Sequence, residues 1–171
     1  MQPTVKAGIV LGVAAEIWSI FVIAIGLHHN PMTLLIFYLV IFIQAGVLFW
    51  GLRMTAAQGK TYGGQVVSGL IISAIGAAII FVGSLILTSY VFPNYFVEVS
   101  EGLRAFLQSQ GMPEADIQMQ LDSMASSNTP MQNAISGVIG TLVTGLILSL
   151  IIGAFVKAKP GAEQISGEAA S

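Results

Sequence analysis

The stretch AGIVLGVAAEIWSIFVIAIGL, residues 7–27, is apolar over about 21 residues except for Glu16 near its midpoint. A helix needs about 20 apolar residues to cross a hydrocarbon core about 30 Å thick, so the stretch predicts a transmembrane helix. It is longer than the apolar core of a secretory signal, and we interpret it as an uncleaved first span. A carboxyl group at the bilayer centre is costly, which makes Glu16 a candidate functional residue.

The composition of the whole chain indicates an integral membrane protein. Of its 171 residues, 55% are hydrophobic and 8% are charged, and the mean hydropathy is +0.85. Soluble proteins carry about 25% charged residues. The net charge of −2 gives no reason to expect a nucleic-acid partner. The absence of cysteine excludes disulfides, thiolate catalysis and cysteine-based metal sites.

Three further segments are long and apolar enough to span a membrane. The four predicted spans are Val5–Leu27, Thr33–Leu52, Val66–Phe92 and Ala134–Val156. Transmembrane strands would be shorter and would alternate in polarity, so the spans are expected to be helices. The predicted fold is an all-α membrane protein, a four-transmembrane-helix bundle. It would form one domain over residues 1–158, followed by a flexible cytoplasmic tail at 159–171.

The distribution of basic residues predicts the orientation of the bundle. Five of the six basic residues fall on one side of a four-span arrangement: Lys6, Arg53, Lys60, Lys157 and Lys159. The long connection before the last span contains Arg104 and several acidic residues. The positive-inside rule therefore places both termini in the cytoplasm and this connection outside.

The long connection is expected to form an extracytoplasmic helical hairpin over about residues 94–126. Gly111 should end its first helix, and Pro113 suits the first turn of the second. Glu114 and Asp116 would lie favourably near the positive end of that second helix. The hairpin could act as a cap on the bundle or as a docking face for another protein.

Small residues recur at intervals of four, the spacing that marks close helix packing in membranes. The candidate packing residues are Gly137, Thr141, Gly145, Ser149 and Gly153 in the fourth span, Gly69 and Ser73 in the third, and Gly8 and Gly12 in the first. Two interpretations are open. The residues could pack the four helices of one bundle, or they could form an interface with a second copy or a larger partner.

Glu16 continues the register of Gly8 and Gly12, so it should face the interior of the bundle. Gln44 of the second span lies at a similar depth, and a direct hydrogen bond between Glu16 and Gln44 is the simplest pairing. Further candidate partners are Ser73, Thr141, Thr144 and Ser149. Desolvation favours a neutral carboxylic acid, which could be polar glue between helices or take part in a proton-coupled change.

Known catalytic signatures are absent from the sequence, which contains no HExxH, GxSxG or P-loop motif. Neighbouring histidines on an α-helix point about 100° apart, so His28 and His29 are expected to form a polar helix end and no metal site. The spans contain no interior Pro, Asp, Lys or Arg, which disfavours ion transport.

Several architectural motifs resemble those of a known family. They are Gly63-Gly64 before the third span, Tyr90-Val-Phe-Pro93-Asn-Tyr-Phe96 after it, the break at Gly111–Asp116, Thr129-Pro130 before the fourth span, and Lys157 and Lys159 after it. From roughly Lys6 to Lys159 the chain resembles a widespread family of small four-span bacterial membrane proteins that is known only as a domain of unknown function. The resemblance implies four helices, an inner-membrane location and a helical insert before the last span. It implies no activity and no catalytic residues.

These observations favour a non-catalytic protein without a cofactor, an accessory or structural subunit of the bacterial inner membrane. Its expected partners are membrane lipids, with other membrane subunits or a second copy as further candidates. The alternative function is a small proton-linked carrier or sensor that uses Glu16 and Gln44.

Overall fold

The computed structural model describes residues 1–125 and 128–156, and these contain seven α-helices. The helices are α1 (Pro3–Ala24), α2 (Pro31–Leu34), α3 (Val40–Ala56), α4 (Tyr62–Ile86), α5 (Tyr95–Ser109), α6 (Glu114–Ala125) and α7 (Pro130–Phe155). Four stretches are long and apolar enough to cross a membrane: Pro3–Ala24, Pro31–Ala56, Tyr62–Val91 and Pro130–Phe155. The predicted all-α, four-span class is confirmed. The predicted tail at 159–171 lies outside the described residues.

Polar caps set the starts of three helices. The side chains of Asn30, Thr61 and Thr129 each accept a hydrogen bond from a backbone N–H in the first turn of α2, α4 and α7, respectively. Pro31 and Pro130 follow two of these caps, at a position where a helix needs no N–H donor. The spans therefore begin at residues 31, 62 and 130, a few residues before their purely apolar segments.

Two spans depart from regular α-helical geometry in the half of the bundle nearest the hairpin α5–α6. Between α2 and α3 the chain forms a 3₁₀-helix over Leu35–Leu39, and after α4 it forms a π-helix over Leu87–Val91. Neither segment contains a proline. Such departures are found frequently at functional sites, so they direct attention to this half of the bundle.

Helix α4 is the central helix of the bundle, and α1 packs along it in the same direction. A Cβ atom added at Gly8 would lie 2.6 Å from Cβ of Ile75, and one at Gly12 would lie 2.5 Å from Cβ of Ile79. Because real Cβ atoms do not approach this closely, only glycine at these two positions permits the observed helix separation. The spacing of four residues is the same on both helices.

Helix α7 packs along the other side of α4 in the opposite direction. Gly69 accommodates the side chain of Ser149, and Gly145 accommodates that of Ser73. Towards the ends of this contact Gly153 lies beside Gln65, and Gly137 lies beside Ile80. The small residues of α4 and α7 therefore pack against each other within one chain, and Ser73, Gly145, Ser149 and Gly153 are buried there.

The connection between the third and fourth spans forms the two helices α5 and α6. They are joined at Gly111, whose φ of +75° is the left-handed conformation that favours glycine. Arg104 of α5 forms an ion pair with Glu114 and donates a hydrogen bond to Gln118 at 2.7 Å, both on the α6 side. Leu107 of α5 and Ile117 of α6 are buried, whereas Val97, Met119 and Met124 of the same two helices are exposed.

The packing of α7 on α4 predicts the effect of a larger residue at Gly145. Gly145→Val should lower the free energy of unfolding by about 1–3 kcal/mol, because the new side chain collides with Ser73. The matched control is Gly140→Val on the same helix, where an added Cβ meets nothing within 4 Å. Thermal unfolding in detergent, followed by circular dichroism, measures both variants. Equal melting temperatures for the two would contradict the packing described above.

Candidate ligand cavity and histidine cluster

Glu16 lies on α1 one helical turn beyond Gly12 and faces Gly83 of α4. A Cβ at Gly83 would lie 2.5 Å from the carboxyl carbon of Glu16, so the glycine makes the room that the carboxyl group occupies. The Glu16 Oε2 atom is buried and has no hydrogen-bond partner among the described residues. A buried polar atom without a partner is costly, and in a native protein it calls for an explanation.

The side-chain amide of Gln44 forms its hydrogen bonds with α7. Its Nε2 donates to the carbonyl oxygen of Thr141 at 2.8 Å, and its Oε1 accepts from the hydroxyl of Thr144 at 2.7 Å. The predicted direct hydrogen bond between Glu16 and Gln44 is therefore wrong. The reason is the direction each residue faces: Gln44 faces α7 across the bundle, while Glu16 lies against α4.

Glu16 and Gln44 nevertheless line the same cavity, which has a volume of about 430 Å³. Its wall is mainly apolar, with hydroxyl and amide groups from all four spans. Besides these two residues its polar lining consists of Ser19, Tyr38, Ser84, Thr88, Asn133, Ser136, Thr141 and Thr144, with His28 and Tyr95 also contributing. Among the described residues the lining contains no lysine or arginine, and the ring of His28 lies against Glu98.

The irregular segments of the second and third spans contribute to this cavity. Phe37 and Tyr38 belong to the 3₁₀-helix, and Leu87 and Thr88 belong to the π-helix. The small residues of α7 fall into two groups. Gly137 and Thr141 line the cavity, whereas Gly145, Ser149 and Gly153 pack against α4. The bundle is thus closely packed in one half and hollow in the other.

A histidine cluster lies at the hairpin end of the bundle. His28 Nε2 lies 2.6 Å from Oε2 of Glu98, and His29 Nε2 lies 3.2 Å from the same oxygen. Hydrogen bonds with His28 and then His29 hold the pKa of Glu98 below its usual value. The His28 side chain is 3% exposed and the His29 side chain 56%. The ring of His28 stacks on that of Tyr95, with ring centroids 5.3 Å apart.

The expectation that the two histidines diverge is wrong. Gly26 adopts φ +76°, and the following residues Leu27–His29 form a 3₁₀-helix in place of a continued α-helix. The two rings have centroids 4.1 Å apart, and both reach one oxygen of Glu98, which α5 places against this turn. His28 also has an unpartnered Nδ1, and it lines the cavity that contains Glu16.

The sequence did not predict the contacts of three residues at these sites: Glu98, Tyr95 and Gly83. Glu98 and Tyr95 precede Gly102 on α5, and a Cβ at Gly102 would overlap the carbonyl group of His29. The glycine in an amphipathic helix was the available signal that this face approaches another backbone closely. Gly83 lies two helical turns after Gly76, another glycine of α4. Its contact with Glu16 could be predicted only from the register of α1 on α4.

Comparison with known proteins identifies the family of the chain. The sequence profile described as "Protein of unknown function (DUF4199)" matches residues 6–158, nearly the whole described bundle. The chain belongs to the DUF4199 family. Searches of curated proteins and of solved structures found no significant match. Four apolar helices fit a small multi-pass membrane protein of this family, whose function is unknown.

Proposed function

We propose that this DUF4199 protein is a non-catalytic carrier or sensor that binds a small protonated amine in the cavity at Glu16. The observation that supports it is the Glu16 carboxyl group, which has a buried, unpartnered oxygen on a cavity of about 430 Å³. An intramembrane acidic residue that faces a cavity commonly marks a substrate or proton site.

The lining favours an organic cation over a metal ion. Ca²⁺ and Mg²⁺ prefer six or more oxygen ligands, with several carboxylates or waters among them. This cavity offers one carboxyl group, scattered hydroxyls and a largely apolar wall. An ammonium group could pair with Glu16 while its hydrocarbon part contacts the apolar wall. Aromatic side chains such as Phe37, Tyr38 and Tyr95 also line the cavity and could contribute cation–π attraction.

A proton would be exchanged for the amine in this proposal. In the described part of the chain no lysine or arginine lines the cavity, and the ring of His28, which does line it, already contacts Glu98. A neutral carboxylic acid is therefore the less costly form of Glu16 without a ligand. An ammonium ligand favours the carboxylate, so binding would release the proton of Glu16. Amine binding would then be coupled to the release of a proton, as a proton-linked carrier or sensor requires.

Glu16→Gln tests this function. The variant should fold with a melting temperature close to that of wild type, because the oxygen it alters has no hydrogen-bond partner. It should lose amine binding by at least tenfold. Isothermal titration of phenethylamine in two buffers with different ionisation enthalpies gives both affinity and proton release, with phenethyl alcohol as the uncharged control ligand.

Glu101→Gln makes the same chemical change at an exposed position of α5 and should bind the amine like wild type. Equal amine affinity and proton release in wild type and Glu16→Gln would overturn the proposal. A large loss of stability in Glu16→Gln would instead assign Glu16 a structural role.

An accessory or structural role is the second candidate function. It is favoured by the absence of catalytic motifs from the sequence and by the many large apolar side chains on the outside of the bundle, including Phe42, Val82 and Phe155. Lipids, other subunits or a second copy could cover that surface. The small residues give this role no separate support, because α4 and α7 use them to pack against each other.

Native purification from gently solubilised membranes separates the two functions. The carrier or sensor proposal predicts recovery of the chain without a stoichiometric companion, measured by mass spectrometry of the eluate. A membrane subunit recovered in fixed ratio would favour the accessory role. The matched control is purification under the same conditions of an unrelated four-span protein with the same tag.

We also propose that the protein resides in the bacterial inner membrane with both termini in the cytoplasm. Support comes from three basic residues that lie at the same end of the bundle. Lys6 Nζ lies 5.6 Å from the ring centroid of Trp50, which places the start of α1 beside the end of α3, where Arg53 also lies. Lys60 precedes α4 at the same end and donates to Ser68 at 2.9 Å. This is the distribution that the positive-inside rule associates with the cytoplasm.

Reporter fusions test the orientation. A reporter active only outside the cytoplasm should be active when inserted near Gly111 between α5 and α6. It should be inactive when fused to the N-terminus or inserted at Gly59 between α3 and α4. The reverse pattern would contradict the proposed orientation.

A further inference from the structure

We propose that His28, His29 and Glu98 bind a divalent transition-metal ion, with Zn²⁺ as the representative, at the hairpin end of the bundle. Each side chain offers one ligand atom, and the three atoms lie within 4.8 Å of one another. This site is separate from Glu16 and does not depend on amine binding there.

The distances are close to those that a metal ion requires. The His28 Nε2 and His29 Nε2 atoms lie 2.6 Å and 3.2 Å from the same Glu98 oxygen. In a tetrahedral zinc site with bonds of about 2.0–2.1 Å, ligand atoms are about 3.3 Å apart. Side-chain rotations that leave the backbone in place can supply the difference. His29 and Glu98 are partly exposed, which gives an ion and a water ligand access.

The backbone brings these three side chains together through two glycines. The left-handed conformation of Gly26 directs the chain into the 3₁₀-helix that contains both histidines. On the other side, Gly102 lets α5 lie directly against the carbonyl group of His29. Glu98 is one helical turn before Gly102, so this close approach places its carboxylate over the two imidazoles.

The donor set matches the chemistry of a first-row transition metal. Two imidazoles and one carboxylate form the protein ligands of several zinc sites, with water in the fourth position. The alternative is a metal-free latch, in which both imidazoles donate hydrogen bonds to Glu98 and hold the hairpin on the bundle. Both possibilities use the same three residues, so the test must detect the ion itself.

The second ring nitrogen of His28 also bears on the proposed metal site. Its Nδ1 atom is buried, unpartnered among the described residues and part of a residue that lines the cavity. A histidine that binds a metal through Nε2 carries its proton on Nδ1, and that N–H normally donates to a neighbouring group or to water. In this protein the N–H would be available to a water molecule or a ligand in the cavity.

The experiment uses the full chain in detergent, without a histidine tag and after removal of metals with a chelator. Zn²⁺ alone is titrated, and the bound metal is counted by mass spectrometry after gel filtration. We expect one ion per chain. Co²⁺ in place of Zn²⁺ should give the visible absorption of a low-coordinate site with nitrogen and oxygen ligands.

Two variants make the result specific to the site. Glu98→Gln keeps the shape and hydrogen-bonding capacity of the side chain, and His29→Ala alters an exposed ring, so both should fold. Each should weaken Zn²⁺ binding at least tenfold, whereas Glu101→Gln should retain wild-type affinity. Failure of wild type to retain Zn²⁺ would overturn the metal site and leave the latch. Wild-type affinity in Glu98→Gln and His29→Ala would also overturn it.

Discussion

The close approach of α1 and α7 to α4 is the constraint on which the rest of the structure depends. Helices in a membrane gain little from burying apolar surface against each other, so their association rests on close contact. Here glycines supply that contact on both sides of α4, opposite Ile75 and Ile79 on one side and opposite serines on the other. Once this register is set, the positions of Glu16 and the cavity follow.

The register of α1 on α4 explains how a carboxyl group is tolerated in the first span. Gly8, Gly12 and Glu16 lie opposite Ile75, Ile79 and Gly83 at matching intervals of four. The missing side chain of Gly83 leaves space for the Glu16 carboxyl group, but Gly83 supplies no side-chain hydrogen-bond donor. The structure therefore leaves room for a carboxyl group, and one of its oxygens has no hydrogen-bond partner among the described residues.

The two halves of the bundle differ in packing. Away from the hairpin, serines fit against glycines and a small apolar core surrounds Leu48 and Ile72. Near the hairpin, two spans leave α-helical geometry and the cavity opens. The hairpin covers this hollow half through α5, whose Tyr95 lines the cavity.

The sequence predicts the spans well because apolar length is a local property, and Thr33–Leu52 differs from the observed second span by a few residues at each end. It also places Glu16 and Gln44 at one depth, and both line the cavity. Their pairing could not be predicted, because it depends on the rotation of each helix about its axis. The convergence of His28 and His29 on Glu98 depends on the packing of α5 against the turn after Gly26, which periodicity does not reveal.

Infrared difference spectroscopy of the Glu16 carboxyl group is the direct test of whether a bound amine displaces the proton of Glu16. Spectra of the protein in lipid, with and without phenethylamine, report whether a protonated carboxyl group is lost when the ligand binds. We expect a protonated carboxyl band to disappear on amine addition and the Glu16→Gln variant to lack this change. A carboxyl band that amine leaves unaltered, or the same change in Glu16→Gln, would contradict it.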